Sequence, residues 1–141
     1  MKYSVPIKLV NVEEKGTHLR VGVLVNGKQS NFIIDTGASQ TVMDKTRALG
    51  FLEWAGVEES DTKSKGLGTD SMQSFTTTVD TLAVGDFRVT NQEIVLLDLS
   101  HVINSYLDMG EEPIDGVLGG DILASYSAVI DYGTRTIDFT D

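Results

Sequence analysis

The clearest candidate for chemistry in this 141-residue sequence is Asp35, which follows the apolar run 32–34 and begins the tripeptide Asp35-Thr36-Gly37. A carboxylate can act as a general acid or base, but it is costly to bury at the end of an apolar strand unless another group hydrogen-bonds to it or pairs with it. Gly37 has no side chain that would crowd its N–H near that carboxylate, and the Thr36 hydroxyl can bond across to another strand. The same residues also fit a strand–turn junction in which Asp35 is an Asx-turn residue, and three-residue matches are common.

One other tripeptide is superficially similar. Asp131-Tyr132-Gly133 also follows an apolar strand, but Tyr132 lacks the small hydroxyl of threonine. We interpret Asp131 as the turn residue of a hairpin, because Asp favours turns in which its side chain bonds to the following backbone.

Other kinds of catalytic or metal site are poorly supported. The chain has no cysteine and two histidines, His18 and His101, which stand far apart and do not have the spacing of metal ligands. We interpret both as ordinary surface or core histidines, and two histidines give no Ser/His/Asp arrangement. Gly119-Gly120 lacks the lysine of a phosphate-binding loop, and Glu111-Glu112 is interpreted as a solvated turn.

Alternation of apolar and polar residues dominates the elements that must position Asp35, and it predicts an all-β domain over residues 1–141 with eight or so short strands. The pairs Asn26-Gly27 and Gly85-Asp86 predict hairpin turns. The predicted strands lie in the runs 5–9, 19–25, 32–34, 41–43, 75–79, 82–84, 87–89, 93–97, 129–131 and 137–139.

Two or three small helices are also predicted. The first is capped by Asp44 and ends at Gly50. The second is capped by Ser100 and ends at Gly110, and a third begins at Asp121. The second helix is predicted to place four side chains on one face, those of Val102, Ile103, Tyr106 and Leu107.

Charge and hydropathy restrict the partners. Eleven Lys and Arg against 21 Asp and Glu give a net charge of −10, which disfavours nucleic acid and anionic membranes. A hydrophobic fraction of 40% is typical of a globular chain. The longest apolar stretches, such as 94–97, are far shorter than the ~18 residues of a membrane-spanning helix. The first residues have no apolar segment of the kind found in signal peptides.

Two motifs together resemble a known family. The run 32–39, followed by 41–43, closely resembles the catalytic loop of retropepsin-like aspartic proteases, and the run 114–123 resembles that family's second signature. The segment around Gly66, Leu67 and Gly68 falls where the family has its flap. The resemblance covers about residues 4–140, is strongest to compact bacterial members, and implies a closed barrel-like single lobe.

The resemblance also implies a mechanism. In this family two Asp carboxylates share one proton, and the pair activates a water and protonates the scissile carbonyl oxygen. A single-chain enzyme with two lobes would need about twice this length, so the resemblance implies a homodimer with one Asp35 from each subunit and a formal charge of −20, twice −10. Thr36 and Gly37 would then hold the loop. Ala38, Ser39 and the flap residues would line a cleft for an extended peptide, and no cofactor or metal is implied.

The sequence departs from the retroviral pattern at two positions, and a third position differs from pepsin-type enzymes. Ser39 stands where retroviral enzymes usually have Asp, and Gly120 stands where they have the Arg that pairs with it. Ala38 lacks the hydroxyl that pepsin-type enzymes place near the carboxylate, so we expect a working pH of about 5–6 rather than 2–3. The alternative function is a non-catalytic peptide-binding or assembly module that keeps the fold.

Overall fold

A computed structural model describes residues 1–12, 16–52 and 74–141, together with the backbone of 58–59. The predicted flap residues Gly66, Leu67 and Gly68 lie outside these ranges. Within them the chain is mostly strand, with two α-helices, α1 (Ser100–Asp108) and α2 (Gly120–Ser125), and one 3₁₀ turn (Arg47–Gly50). The strands are β1 (Lys2–Pro6), β2 (Lys8–Asn11), β3 (Thr17–Val25), β4 (Lys28–Ile34), β5 (Val42–Asp44), β6 (Glu58–Glu59), β7 (Phe75–Val84), β8 (Phe87–Leu97), β9 (Gly116–Leu118), β10 (Val129–Asp131) and β11 (Thr136–Thr140).

Six of these strands form a closed barrel in the order β3-β4-β9-β5-β8-β7. The barrel closes because β7 also pairs with β3, where Leu24 lies opposite Ala83 and Val25 opposite Leu82. Strands β2 and β6 extend the sheet beyond β3 and β7. The predicted all-β, closed barrel-like lobe is confirmed.

Tight turns connect neighbouring strands of the barrel, as predicted. Asn26 and Gly27 join β3 to β4 with φ angles of +51° and +81°, which is the positive-φ geometry of a type I′ turn. Gly85 adopts φ +60° between β7 and β8. A substituent at Gly85 would also approach the Val5 side chain to 3.1 Å, so this turn suits glycine in both conformation and space.

A separate three-stranded sheet contains both ends of the described chain. Its order is β1-β11-β10, with β11 antiparallel to both neighbours. The predicted closing hairpin from 129 to 139 is therefore confirmed. The inner face of this sheet packs on the barrel through Ile137 and Phe139, and the Phe139 ring stacks on Phe87 with 4.3 Å between the ring centroids.

Side chains alternate between two apolar clusters on opposite faces of the barrel wall. The interior holds the larger cluster, which includes Phe32 and Ile34 of β4. The outer cluster includes Ile33, which points to the opposite face of the same strand. Helix α1 covers this outer cluster through the buried side chains of Ile103 and Tyr106.

Three details of the predictions for the two α-helices differ from the structure. Ser100 is the first residue of α1 and makes no side-chain cap; instead, Asp98 Oδ1 accepts its N–H at 2.9 Å. Leu107 is 50% exposed, because the helix turns Ile103 and Tyr106, which are three residues apart, toward the barrel. Helix α2 begins at Gly120, one residue before the predicted start at Asp121.

The prediction that Asp44 is the N-cap of the first helix is wrong, because the cap position of the 3₁₀ turn is Thr46, but the Asp44 carboxylate does bond to the start of that turn. Its Oδ2 accepts the Arg47 N–H at 2.9 Å and its Oδ1 accepts the Leu99 N–H at 2.8 Å. This buried carboxylate therefore anchors both the turn after β5 and the segment that enters α1. Two charge-assisted bonds to backbone N–H groups offset the cost of burying it.

Candidate active site

Asp35 begins an exposed loop directly after three buried residues of β4. The Asp35 N–H donates to the Leu118 carbonyl of β9 at 3.0 Å, so the barrel pairing continues into the first residue of the loop. The Gly37 N–H donates to Asp35 Oδ1 at 2.8 Å, and the Ala38 N–H donates to the Asp35 carbonyl at 3.1 Å. The loop therefore has the geometry of an Asx turn, which fixes the carboxylate at the end of the strand.

The junction between β9 and α2 supports this loop from the side facing the protein. The Gly120 N–H donates to the Ala38 carbonyl at 2.7 Å, and the Asp121 N–H donates to the Ser39 carbonyl at 3.1 Å. A methyl group at Gly119 would lie 2.5 Å from the Gln40 carbonyl oxygen, which is closer than side-chain carbons approach in real structures. Glycine at position 119 is therefore what lets the two backbones lie in contact.

Thr41 and Asp121 join the same two segments through their side chains. Asp121 accepts the Thr41 N–H at 3.0 Å with one oxygen and the Thr41 hydroxyl at 2.7 Å with the other. The Thr41 hydroxyl in turn accepts the Gly119 N–H at 3.1 Å. Sequence reasoning missed this role for both residues. A polar residue inside the predicted 41–43 strand and an acid at a helix start were the available signals.

The predicted site residues lie together on one surface loop, apart from those of the flap. Asp35, Thr36, Gly37 and Ser39 are exposed, and Ala38 is half-buried. The Thr36 hydroxyl makes no hydrogen bond to any part of the chain that the structure describes. One copy of the chain thus presents a single carboxylate on an uncovered loop, which is half of the arrangement that a carboxylate pair requires.

Asp131 has a different role, as the sequence predicts. Its Oδ1 accepts the Gly133 N–H at 2.8 Å and the Thr134 N–H at 3.0 Å, within the hairpin that joins β10 to β11. These two backbone bonds, of which that from Thr134 has the larger effect, lower the pKa of Asp131. Its carboxylate is used within its own turn.

The described residues contain neither a cluster of metal ligands nor a helix that could span a membrane. Over residues 1–12, 16–52 and 74–141, no three His, Asp or Glu side chains come close enough to hold a metal ion. Neither helix in those ranges has the length and apolar character needed to cross a bilayer.

The loop, its support and the closed barrel define the class of the protein. The sequence profile of a family described as aspartyl protease matches residues 21–122, which include Asp35 and Asp121. The chain therefore belongs to the aspartyl protease family. A search among curated proteins gives no match.

Solved structures show the same fold. A retropepsin-like aspartic protease from Rickettsia conorii superposes with a TM-score of 0.61 at 15% identity and covers 99% of this chain and 89% of its own. EIAV protease, in complex with the inhibitor HBY-793, gives 0.58 at 21% identity, with 82% and 93% covered. The retroviral protease-like domain of Ddi1 from Leishmania major gives 0.58 at 16% identity, with 87% and 88% covered. The resemblance to retropepsin-like aspartic proteases is thus confirmed.

Proposed function

We propose that this protein is an aspartic endopeptidase, active as a homodimer in which each subunit contributes Asp35. The observation that supports it most directly is the exposed Asp35 carboxylate, fixed by the Gly37 N–H at 2.8 Å in a member of the aspartyl protease family. A general acid–base group must be both accessible and held in position, and this carboxylate meets both conditions.

The reaction follows from two facing carboxylates that share one proton. The ionised Asp35 takes a proton from a water while the oxygen of that water attacks the peptide carbonyl carbon. The protonated Asp35 of the partner subunit gives its proton to the carbonyl oxygen. As the resulting diol collapses, one carboxyl of the pair gives its proton to the amine nitrogen and the C–N bond breaks. The other carboxylate takes a proton from a diol hydroxyl, which leaves a carboxylic acid and restores the shared proton.

Each remaining site residue has a defined part in this proposal. Thr36 and Gly37 hold the loop, with the exposed Thr36 hydroxyl free to bond to the partner subunit. Ala38 and Ser39 line the cleft for an extended peptide, together with Gly66, Leu67 and Gly68. No cofactor or metal takes part.

The charge around the loop is compatible with a dimer of acidic chains. Each chain has a net charge of −10, so an interface formed by average surface would be strongly repulsive. Residues 36–40, however, contain no charged side chain. The segment that must approach its symmetry mate is therefore neutral except for the catalytic carboxylate itself.

A peptide library assayed from pH 4 to 7 with the wild type and Asp35→Asn tests the proposal, with Asp131→Asn as the matched control. We expect cuts that disappear only in Asp35→Asn, with greatest activity at about pH 5–6. A rate maximum below pH 4 would contradict the expected pH range.

Sedimentation of the same samples tests the dimer. A chain that stays monomeric over its working pH and concentration range has no carboxylate pair, which would overturn the proposal. A folded, dimeric wild type that cuts nothing would instead favour a peptide-binding or assembly module.

A further inference from the structure

Asp115 lies directly before β9 and is buried, with 4% of its surface exposed. A buried carboxylate is costly unless hydrogen bonds and a positive charge compensate it. Asp115 has both, because its Oδ2 accepts the Asn31 N–H of β4 at 2.8 Å and its Oδ1 accepts Arg47 Nε at 2.6 Å. The Arg47 side chain is 39% exposed, so the ion pair lies at the edge of the interior. Asp115 thus joins the start of β9 both to β4 and to the 3₁₀ turn that contains Arg47.

Backbone hydrogen bonds at the same place connect Asp115 to both strands that flank β9. The Asp115 N–H donates to the Asn31 carbonyl at 2.7 Å, and the Asp115 carbonyl accepts the Asp44 N–H of β5 at 2.8 Å. The Asp44 carboxylate in turn accepts the Arg47 N–H at 2.9 Å. We call these four residues, Asn31, Asp44, Arg47 and Asp115, the Asp115 clamp. The clamp fixes the end of β9 that enters between β4 and β5.

Strand β9 itself is too short to hold its position along the barrel by pairing alone. It has three residues, which pair parallel with β4 and antiparallel with β5. A methyl group at Gly116 would lie 2.8 Å from the Phe32 ring and closer still to the Val42 carbonyl oxygen, so the strand is tightly enclosed. A slip of one residue would turn its side chains to the opposite face. The groups at its two ends must therefore set its register.

The other end of β9 carries the support of the candidate catalytic loop. Gly119 and Gly120 follow β9 directly, and the Gly120 N–H donates to the Ala38 carbonyl. Asp115 and Gly119 are four residues apart, which is about 13 Å along an extended strand. Because packed interiors transmit strain, a shift of Asp115 along the strand axis would also shift the residues that hold the loop.

We propose that the Asp115 clamp positions the catalytic loop: the Arg47–Asp115 ion pair sets the register of β9 and, through it, the position of the Asp35 carboxylate. The inference rests on the proposed endopeptidase function. That reaction needs two carboxylates about 3 Å apart across a subunit boundary, and a displacement of about 1 Å can lower a rate by about 10²-fold. Arg47 and Asp115 are positioning residues, since they act through β9.

NMR of backbone amides tests the positioning without catalysis. The Gly37 N–H reports on the Asp35 carboxylate to which it donates, and the Gly120 N–H reports on the support of the loop. Arg47→Gln removes the positive charge from the clamp, whereas Arg47→Lys keeps the charge without the Nε donor. In Arg47→Gln we expect both amide signals to shift, and hydrogen exchange at Gly120 to accelerate about fivefold or more relative to the Ile7 N–H, which is bonded outside the clamp and the loop. Arg47→Lys should show smaller changes in the same direction, and it provides the test if Arg47→Gln does not fold.

Two variants control for effects unrelated to the clamp. Arg88→Gln makes the same change at an exposed arginine of β8 and should leave the Gly37 and Gly120 signals in place. Ile137→Val removes one methyl group from a fully buried side chain of the separate sheet, so it should lower stability and also leave both signals in place. Signals that move as far in Ile137→Val as in Arg47→Gln would mean that the clamp only stabilises the fold, which would overturn the inference. Signals in Arg47→Gln that coincide with those of wild type would overturn it as well.

Kinetics then connect the clamp to the reaction. Under conditions in which every variant is folded, we expect kcat for a cleaved peptide to fall about tenfold in Arg47→Gln and less in Arg47→Lys. KM should change by less than about twofold, because the displaced groups act in the transition state. Arg88→Gln and Ile137→Val should keep the kcat of wild type.

The two experiments together separate this inference from the proposed function. An unchanged kcat in an Arg47→Gln protein whose Gly37 signal has moved would overturn the inference, because the clamp would then have no effect on the reaction. A moved Gly37 signal in a protein whose wild type cleaves no peptide would support the clamp and count against the proposed function instead.

Discussion

The chain builds nearly the same turn twice, at Asp35-Thr36-Gly37 and at Asp131-Tyr132-Gly133. In both, the glycine N–H donates to the aspartate Oδ1 at 2.8 Å, and a methyl group on either glycine would lie 3.2 Å from that oxygen. What differs is the surroundings. The first turn leaves a barrel strand and rests on the β9–α2 junction, whereas the second closes the exposed end of the β10–β11 hairpin.

The comparison shows that an Asp-x-Gly turn is not by itself enough to form a candidate active site. The Asp131 carboxylate accepts a second backbone N–H, from Thr134, and stabilises its own turn. The carbonyls after Asp35 are instead held by Gly120 and Asp121, residues about 80 positions away in the sequence. Long-range bonds fix the first carboxylate relative to the barrel, and general acid–base chemistry depends on such positioning.

Replacing each aspartate by asparagine gives the largest expected difference between the turns. Asparagine keeps the Oδ1 acceptor, so both turns should fold, but it cannot transfer a proton. We expect Asp35→Asn to lower kcat/KM for a cleaved peptide by about 10²–10⁴-fold. Asp131→Asn should stay within about twofold of wild type. Comparable losses in the two folded variants would show that the turns are not functionally distinct.

The next largest difference should come from adding one methyl group to a glycine at each place, Gly119 beneath the first turn and Gly133 within the second. The two changes should lower the free energy of unfolding by different amounts. In Gly119→Ala the methyl would meet backbone of Gln40 at 2.5 Å, and neither segment can move without breaking the bonds to Ala38 and Ser39. We expect a loss of about 2–3 kcal/mol in the free energy of unfolding, measured by urea denaturation. Gly133→Ala meets only the end of the Asp131 side chain and should cost less than about 1 kcal/mol. A Gly119→Ala protein as stable as Gly133→Ala would contradict the close approach described for the loop.

Sequence reasoning recovered what depends on neighbours along the chain. The Asx turn at Asp35, the hairpin at Asn26-Gly27 and the turn role of Asp131 each follow from residue types within a few positions. The closed barrel was predicted from the resemblance to retropepsin-like aspartic proteases and not from local residue patterns. The cap at Ser100 was wrong, because a sequence pattern leaves a helix boundary undecided by one or two residues. The place of Leu107 on the same packed face as Ile103 and Tyr106 was also wrong, because periodicity leaves the direction of that face undecided by about one residue.

The contacts that sequence reasoning missed join residues far apart in the chain. Thr41 and Asp121 are 80 positions apart, and His18 and Tyr106 are 88 apart. Each pair meets only because the barrel brings β5 next to β9 and places α1 over the outer face of β3 and β4. No local pattern contains that information, whereas the register of the strands does.

Removing a threonine hydroxyl near each turn should produce a smaller difference in the free energy of unfolding than the added methyl groups do. Thr41→Val removes the hydroxyl that donates to Asp121 Oδ1, and it leaves the buried Gly119 N–H without the acceptor that this hydroxyl provides. We therefore expect a loss of about 1–3 kcal/mol in unfolding free energy. Thr134→Val in the other hairpin removes an exposed contact to the Thr136 hydroxyl and should change stability by about 0.5 kcal/mol or less. Equal effects at the two positions would mean that the Thr41 hydroxyl does not support the loop.

The smallest expected effect is the pH dependence of the Asp131 turn. The pKa of Asp131 is lowered by the Thr134 and Gly133 N–H groups, so the folded state favours the ionised carboxylate. Such a group stabilises the fold above its unfolded pKa, and its contribution is lost as pH falls through the lower, folded pKa. In Asp131→Asn the turn keeps an acceptor that does not titrate. The urea midpoint of wild type, measured at fixed protein concentration, should therefore exceed that of the variant at pH 7, and the difference should shrink by pH 3.

The remaining carboxylates titrate in both proteins and cancel in this comparison. A difference that stays constant or widens on acidification would contradict the charge-assisted turn and leave Asp131 without the role that sets it apart from Asp35.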